Sequence, residues 1–374
     1  MEETEKICQK VDYINKIGQN LRKIKKEELE KLLREIRDCR RIVLVGEGRS
    51  LYGLFLGMRA INKRTFHEDD SSWKWSNITE AATAFEQKRG KTLLLVNSGS
   101  GNTTSPKEMA KDLRDFINAA KETRSQKFII CTVTSHHKAE IAQQCDVVLE
   151  LKGREEEKKD EEINPLESGI IEDLFELASM ILFRMIKEAI NNDLSAEEVM
   201  VAINNEMKVI GKIIDDYLSS KHYEELIKEA ASRERIVIGG RGPDKKVGEI
   251  TIIRMLHLNR MVNREAWPTG YLPPPPKPGD ILVPISFSGE TKSTLEWVEI
   301  YKKAAGLIFS IVGTANSSLS KENGYVFEAP REDFYVRAAF LLSPLAGGVM
   351  EKLKECGTPI PEKMIRILGH SKTQ

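Results

Sequence analysis

Residues 92–106 read TLLLVNSGSGNTTSP, and this stretch decides the fold. The apolar run Leu93–Val96 leads straight into a small, polar turn. Within Asn97–Pro106, five residues carry hydroxyls and two are glycines. A solvated linker has no need of such an apolar lead-in. A buried strand that ends in a turn opening a helix gives this pattern. The segment that follows, Lys107 to Lys121, has helical periodicity.

Working outward, the same grammar appears twice. Residues 1–40 alternate apolar and charged positions at helical spacing, as in Leu29, Leu32, Leu33 and Ile36. The strand-like RIVLV (41–45) and the turn GEGRS (46–50) follow, then an apolar helix candidate. After TLLLV and its turn come KFIICTV (127–133) and DVVLEL (146–151). The second half opens with a helical run from about Ser195 to Ser232, then RIVIG (235–239) and GRGPD (240–244). DILVPI (280–285) leads into SFSGETKST (286–294), and LIFSIVG (307–313) and YVFEA (325–329) close the set. Repetition at this distance predicts two domains, 1–194 and 195–374, rather than a solenoid. Strands alternating with helices imply parallel sheets with helices on both faces. The charged KGREEEKKDEE (152–162) reads as a solvated loop, and YLPPPPKPG (271–279) as a stiff connector.

Composition agrees with a globular chain. The 374 residues exceed one typical core. Fifty-seven Lys and Arg balance fifty-seven Asp and Glu, so nothing in the net charge points to nucleic acid or an anionic membrane. No apolar run approaches a membrane span, and the polar start MEETEKICQK lacks a signal core. Five cysteines without a C-x-x-C pair argue against a disulfide framework and fit a reducing cytoplasm. Cys131, His136, His137 and Cys145 match no usual zinc spacing, so no metal is expected.

Both Ser-Gly turns follow a strand and open a helix. There the first backbone N–H groups lack internal partners and the helix dipole is positive, an arrangement that binds phosphate. Glycines let the backbone approach closely and hydroxyls add donors. Ser and Thr are also preferred N-caps, but one cap needs one hydroxyl, and Ser98, Ser100, Thr103 and Thr104 are four. The Walker phosphate loop is absent. GEGRS lacks the third glycine of a dinucleotide fingerprint, although HEDD (67–70) stands near the ribose-binding distance.

In order and spacing, G-x-G-x-S after one strand and S-x-S-G-x-T after a later one resemble the sugar isomerase (SIS) domain, in both halves. Stretches GEGRS (46–50), KPGDILVPISFSGET (277–291), RMLHL (254–258) and PLESGIIED (165–173) are most similar to the 6-phospho-3-hexuloisomerase type. The resemblance implies an α/β chain of two tandem SIS domains, each a three-layer, flavodoxin-like sandwich. It assigns catalysis to Glu172 and His257. Glu249, Ile253 and His257 are spaced by four and share a helix face, which makes Glu249 a candidate substitute base or orienting partner. It assigns the phosphate to Ser50, Arg49, Ser98, Ser100, Asn102, Thr103, Ser286, Ser288 and Thr291. The halves differ in their completeness. Asn62 stands where the first half would carry the histidine, and Pro243 and Asp244 replace Arg49 and Ser50 in the second. In PREDFYVRAAF (330–340), Glu332 and Asp333 come too early for the glutamate. A composite site is therefore expected, with Glu172 from the first domain and His257 from the second.

The implied activity is aldose–ketose isomerisation of a phosphosugar through an enediol, without metal or organic cofactor. Glu172 is expected as base, its pKa raised by burial under Ile170, Ile171 and Leu174. An amino-sugar phosphate deaminase or deglycase uses related chemistry, and a non-catalytic phosphosugar-binding regulator is a third reading. Arg241 is a further candidate phosphate contact, and Trp73 and Trp75 candidates for lining the sugar pocket. A cytoplasmic homodimer that binds neither nucleic acid nor membrane is expected.

Overall fold

The structure, a computed structural model, describes residues 6–67, 78–153, 166–167, 171–270 and 274–361. The side chains of Ile171 and Glu172, residues 154–162 of the charged loop, Trp73, Trp75, residues 68–70 of HEDD and residues 271–273 of the proline tract lie outside the described residues. The chain forms two compact units. The first comprises residues 16–156 and 174–206, the second residues 1–15, 157–173 and 207–374.

The first unit holds five parallel strands: β1 (Cys39–Val45), β2 (Arg64–Phe66), β3 (Lys91–Asn97), β4 (Phe128–Thr134) and β5 (Val147–Glu150). Their order is β2-β1-β3-β4-β5. Successive strand residues face opposite sides, and both sides are covered. On one, Val43, Val45, Leu94, Val96 and Ile130 share a core with Phe85 of the Ile78–Glu86 helix and with Met109, Leu113 and Ile117 of the Thr104–Asn118 helix. The intervening Ile42, Leu44, Leu93, Leu95 and Cys131 are also buried. The Lys26–Asp38 helix packs along β1, β3 and β5 through a buried stripe of Leu29, Leu32, Leu33 and Ile36. Two covered faces explain why the strands read as unbroken apolar runs.

The second unit holds β6 (Arg235–Gly239), β7 (Glu265–Pro268), β8 (Ile281–Ser286), β9 (Leu307–Ile308), β10 (Ser310–Val312) and β11 (Gly324–Val326), all parallel. Their order is β11-β10-β8-β6-β7, with β9 beside β8. Setting aside the two-residue β9, both units have the strand order 2-1-3-4-5 of flavodoxin-like sheets. The expected α/β class, with two parallel sheets and their helices, is borne out.

Several elements depart from the reading of the sequence. The 1–40 run is two helices, Asp12–Arg22 and Lys26–Asp38. The 195–232 run is also two, Ala196–Leu218 and Lys221–Ser232. Between them Ser220 interrupts the helix, and its Oγ accepts from Tyr223 N at 3.1 Å as an N-cap. LIFSIVG divides at Phe309 into β9 and β10. Among the described residues no helix is long and apolar enough to cross a membrane.

Candidate functional site

In a sheet of this order the chain leaves β1 and β3 toward opposite flanks, which opens a crevice at their carboxyl ends where ligands bind. The turn after β1, Gly46–Gly48, leads into the Arg49–Gly57 helix, and the turn after β3 leads into the Thr104–Asn118 helix. The turns after β6 and β8 hold the same places in the second unit.

The two Ser-Gly turns are built alike. In the first, Ser98 Oγ lies 3.1 Å and Ser100 Oγ 3.4 Å from Thr103 Oγ1. Gly101 N donates to Ser98 Oγ and Asn102 N to Ser100 Oγ, both at 3.2 Å. In the second, Ser286 Oγ lies 3.2 Å from Thr291 Oγ1, while Gly289 N donates to Ser286 Oγ and Glu290 N to Ser288 Oγ, again at 3.2 Å. Gly101 (φ +63°) and Gly289 (φ +66°) take the left-handed conformation, and a side chain there would collide with Ala139 in one turn and Ser317 in the other. Thr103 and Thr291 are the N-caps of the following helices, yet neither hydroxyl makes a capping bond. The hydroxyls thus converge on one another and leave the first helical N–H groups uncapped by these threonines, which favours an anion cradle over capping. The first-loop glycines match too: Gly48 has φ 54°, ψ −123° and Gly242 φ 58°, ψ −126°.

Beside the first cradle the structure places a carboxylate that belongs to none of the sequence motifs. Ser50 Oγ donates to Glu176 Oε1 at 3.0 Å, and Arg49 Nε lies 3.9 Å from Glu176 Oε2. Both Arg49 and Ser50 are buried. Asn97, which ends β3 directly before Ser98, donates through Nδ2 to Ser50 O at 2.9 Å and Ser179 Oγ at 3.0 Å. Ser179 Oγ in turn donates to Glu176 O at 3.0 Å. Glu176 lies on the Ile171–Asn192 helix, which approaches the Arg49–Gly57 helix closely at Gly57. A Cβ there would stand 2.6 Å from Phe183 Cβ and 2.8 Å from Met180 O. Two turns before Phe183 on the same helix, that approach sets Glu176 against Ser50.

Among the described residues the second unit has no such cluster. Matching IEDLFELAS (171–179) to REDFYVRAA (331–339) on their shared Glu-Asp pair puts Val336 at the place of Glu176 and Ala339 at that of Ser179. Asp244 takes the place of Ser50 and is buried. Asp333 pairs with Arg337 at 3.3 Å within its own helix.

The remaining candidates make other contacts. His257 is half-buried on the Pro243–Met261 helix. It lies fourteen residues after Pro243, about 20 Å along the axis, so it does not join the cradle of its own unit. Glu249 is paired with Lys245 (3.5 Å) and Lys246 (3.0 Å). Arg254, one turn before His257, is buried and pairs with Asp173 at 3.3 Å. The residue next to Glu172 is therefore fixed to the histidine's helix. Asn102 Oδ1 accepts from Glu140 N at 3.3 Å. Arg241 donates to Ser293 Oγ at 3.0 Å, with its guanidinium 4.5 Å from the Trp297 ring centre. Asn62 lies beyond the end of the Arg49–Gly57 helix, and its N–H donates to Asn191 Oδ1 at 2.8 Å.

No protein-family model matches the chain. A stretch of 121 residues is 32% identical to glutamine–fructose-6-phosphate aminotransferase [isomerizing] of Thermotoga maritima. It covers 31% of this chain and 19% of that protein, about a fifth of the relative's length. Among solved structures, the C-terminal domain of glucosamine-fructose-6-phosphate aminotransferase from Francisella tularensis superposes with a TM-score of 0.57 at 13% identity, over 93% of this chain and 95% of that one. Tagatose-6-phosphate ketose/aldose isomerase from Escherichia coli does so at 0.53 and 12%, over 93% of each chain. At these identities the likeness establishes the fold, and it bears out the resemblance drawn from the loops.

Proposed function

We propose that this chain, which has the two-domain sugar isomerase (SIS) fold, is a phosphosugar aldose–ketose isomerase whose first unit carries the working cradle. The observation that carries the reading is the contact of Ser50 with Glu176 beside Ser98, Ser100 and Thr103. The three hydroxyls and the first helical N–H groups hold the phosphate. Asn97 links that loop to Ser50, so phosphate grip and carboxylate share one framework.

Isomerisation moves one proton between adjacent carbons. In this reading Glu176 takes the proton from the carbon next to the carbonyl, an enediol forms, and the proton returns to the former carbonyl carbon. The hydroxyl proton passes in the same direction, from the oxygen of the carbon that loses its hydrogen to the former carbonyl oxygen. Ser50 and Arg49 hold the carboxylate in place, and a positioned base of this kind contributes about 10²- to 10⁴-fold. The roles of Glu172 and His257 rest on the family resemblance, and that of Glu249 on its helix face. The second cradle binds phosphate without the base, since Val336 replaces Glu176.

The similarity to the aminotransferase stretch favours a second reading, in which the sugar carries nitrogen beside the carbonyl and the same proton transfer leads to its gain or loss. A deuterium-exchange assay on phosphosugars with and without an amino group distinguishes the two. The expected result is washout of the carbon-bound hydrogen by the wild type and its loss in Glu176→Gln. Full exchange in Glu176→Gln together with loss in Glu172→Gln would move the base to Glu172.

A further inference from the structure

A second feature of the first unit lies at the other end of its sheet. The amino ends of β1 and β2 and the turn before β3 border a cavity of about 900 Å³. Six cations line it: Arg40, Arg41, Lys63, Arg64, Lys88 and Arg89. Asp38 is the one carboxylate among the lining residues. In a chain whose charges balance overall, this is a local concentration of a single sign.

Two of the six have internal reasons to be there. Arg41 donates to Thr92 Oγ1 (3.0 Å), Arg89 O (2.9 Å) and Gly90 O (2.6 Å). Lys63 Nζ donates to Arg37 O (2.6 Å) and Cys39 O (2.8 Å), the carbonyl end of the Lys26–Asp38 helix, where cations are favoured. Arg40, Arg64, Lys88 and Arg89 have no such reason: among the described residues their side chains make no ion pair or hydrogen bond. Like charges gathered this way repel, and burial together with Arg40 and Arg64 lowers the pKa of Arg41. Two of these four are also held in place. Arg64 Cζ stands 4.9 Å from the Phe66 ring centre and Lys88 Nζ 5.1 Å from that of Phe85.

We propose that this cavity binds a small ligand bearing two or more adjoining phosphoryl groups, at a site separate from the Ser-Gly cradle. The cradle reads one phosphate with neutral hydroxyls and N–H groups. The cavity offers several fixed point charges, which suits a polyanion. Strand β1 alone separates the two by about 20 Å. Phe66 and Phe85 are buried, so they give no platform for stacked bases, which favours a small ligand over single-stranded nucleic acid. The inference stands on its own residues, whether or not the isomerase reading holds.

Calorimetric titration of the full chain with inorganic triphosphate, adenosine triphosphate and orthophosphate at fixed salt tests it. Triphosphate is expected to bind at least about tenfold more tightly than orthophosphate. The exposed-residue variant Arg64→Ala/Lys88→Ala/Arg89→Ala is expected to lose that binding by about tenfold or more with an unchanged melting temperature, and Lys88→Ser/Arg89→Ser to lose part of it. Ser100→Ala/Ser288→Ala is expected to retain it. Equal binding of the two triphosphates assigns recognition to the phosphate chain, and tighter binding of the nucleotide adds its nucleoside; either supports the site. Unchanged binding in both charge variants, loss in the serine variant, or tighter binding of a 20-residue oligonucleotide overturns it.

Discussion

Thr103 Oγ1 lies 3.1 Å from Ser98 Oγ, so the residue at the start of the helix turns its hydroxyl toward the loop instead of capping the helix. Thr291 and Ser286 repeat the relationship at 3.2 Å. Two loops with little surrounding sequence in common hold their hydroxyls in one arrangement, which a shared ligand explains and helix capping does not.

Thr103→Ala should therefore cost less stability than the loss of a working cap, about 1 kcal/mol. Its affinity for a phosphosugar should fall about tenfold, as expected on removing a donor to a charged group. Urea unfolding and a ligand titration of the same variant check both. A full cap penalty with unchanged affinity would return the threonine to a structural role.

Ser50→Ala should destabilise the first unit by about 1–3 kcal/mol, because it takes a donor from a half-buried carboxylate. Turnover should fall as well, with KM less affected than kcat, since the serine positions Glu176 and lies outside the phosphate loop. Parallel losses in kcat and stability across Ser50→Ala, Ser50→Thr and Ser50→Cys would tie the two effects to one contact.

Arg235 bridges β6 to its neighbours through Glu265 (2.6 Å) and Asp280 (3.0 Å). Arg235 and Asp280 are both buried, so Asp280→Ala leaves the guanidinium undercompensated and should cost about 3–5 kcal/mol. Glu265, more exposed, should cost under about 1 kcal/mol when truncated. Denaturant midpoints of the two variants give the comparison.

His222 sits among Tyr217, Phe309 and Tyr325, and burial lowers its pKa from 6.5 to about 4. The unfolded chain takes up a proton near pH 6.5 that the folded chain refuses until about pH 4. Stability is therefore full above pH 6.5 and declines as pH falls toward 4, by about 3 kcal/mol in all. Melting temperatures from pH 7.5 to 4.5 should show that slope, and His222→Phe should flatten it. An unchanged slope in the variant would place the acid sensitivity in other groups.

The loops were legible in the sequence because each pairs an unbroken apolar strand with turn chemistry of narrow meaning. Their repetition pointed to two parallel sheets. The short edge strands β2 (RTF) and β7 (EAWP) were not, since three or four residues bearing Arg64 or Glu265 carry no apolar run. Glu176 was missed because ELASM reads as an ordinary helix turn. Its partner, Ser50, lies 126 residues away and meets it only through the close helix approach at Gly57. The signal was present in the match of IEDLFELAS to REDFYVRAA, where one half keeps an acid and the other puts valine. His257 stands out by motif, but a motif does not count helical rise, and fourteen residues separate it from the start of its helix at the cradle of its own unit.

That valine has a consequence for how the molecule answers its substrate. With two alike cradles and a half-buried glutamate beside the first alone, the proposed reading has occupancy and turnover rise separately as substrate accumulates. Heat resistance would record both bound molecules, each contributing RT ln(1 + [L]/Kd), while product formation records one. On the proposed isomerase reading, the second cradle would act as a gauge of substrate supply, built from the same loop as the workplace but relieved of its chemistry.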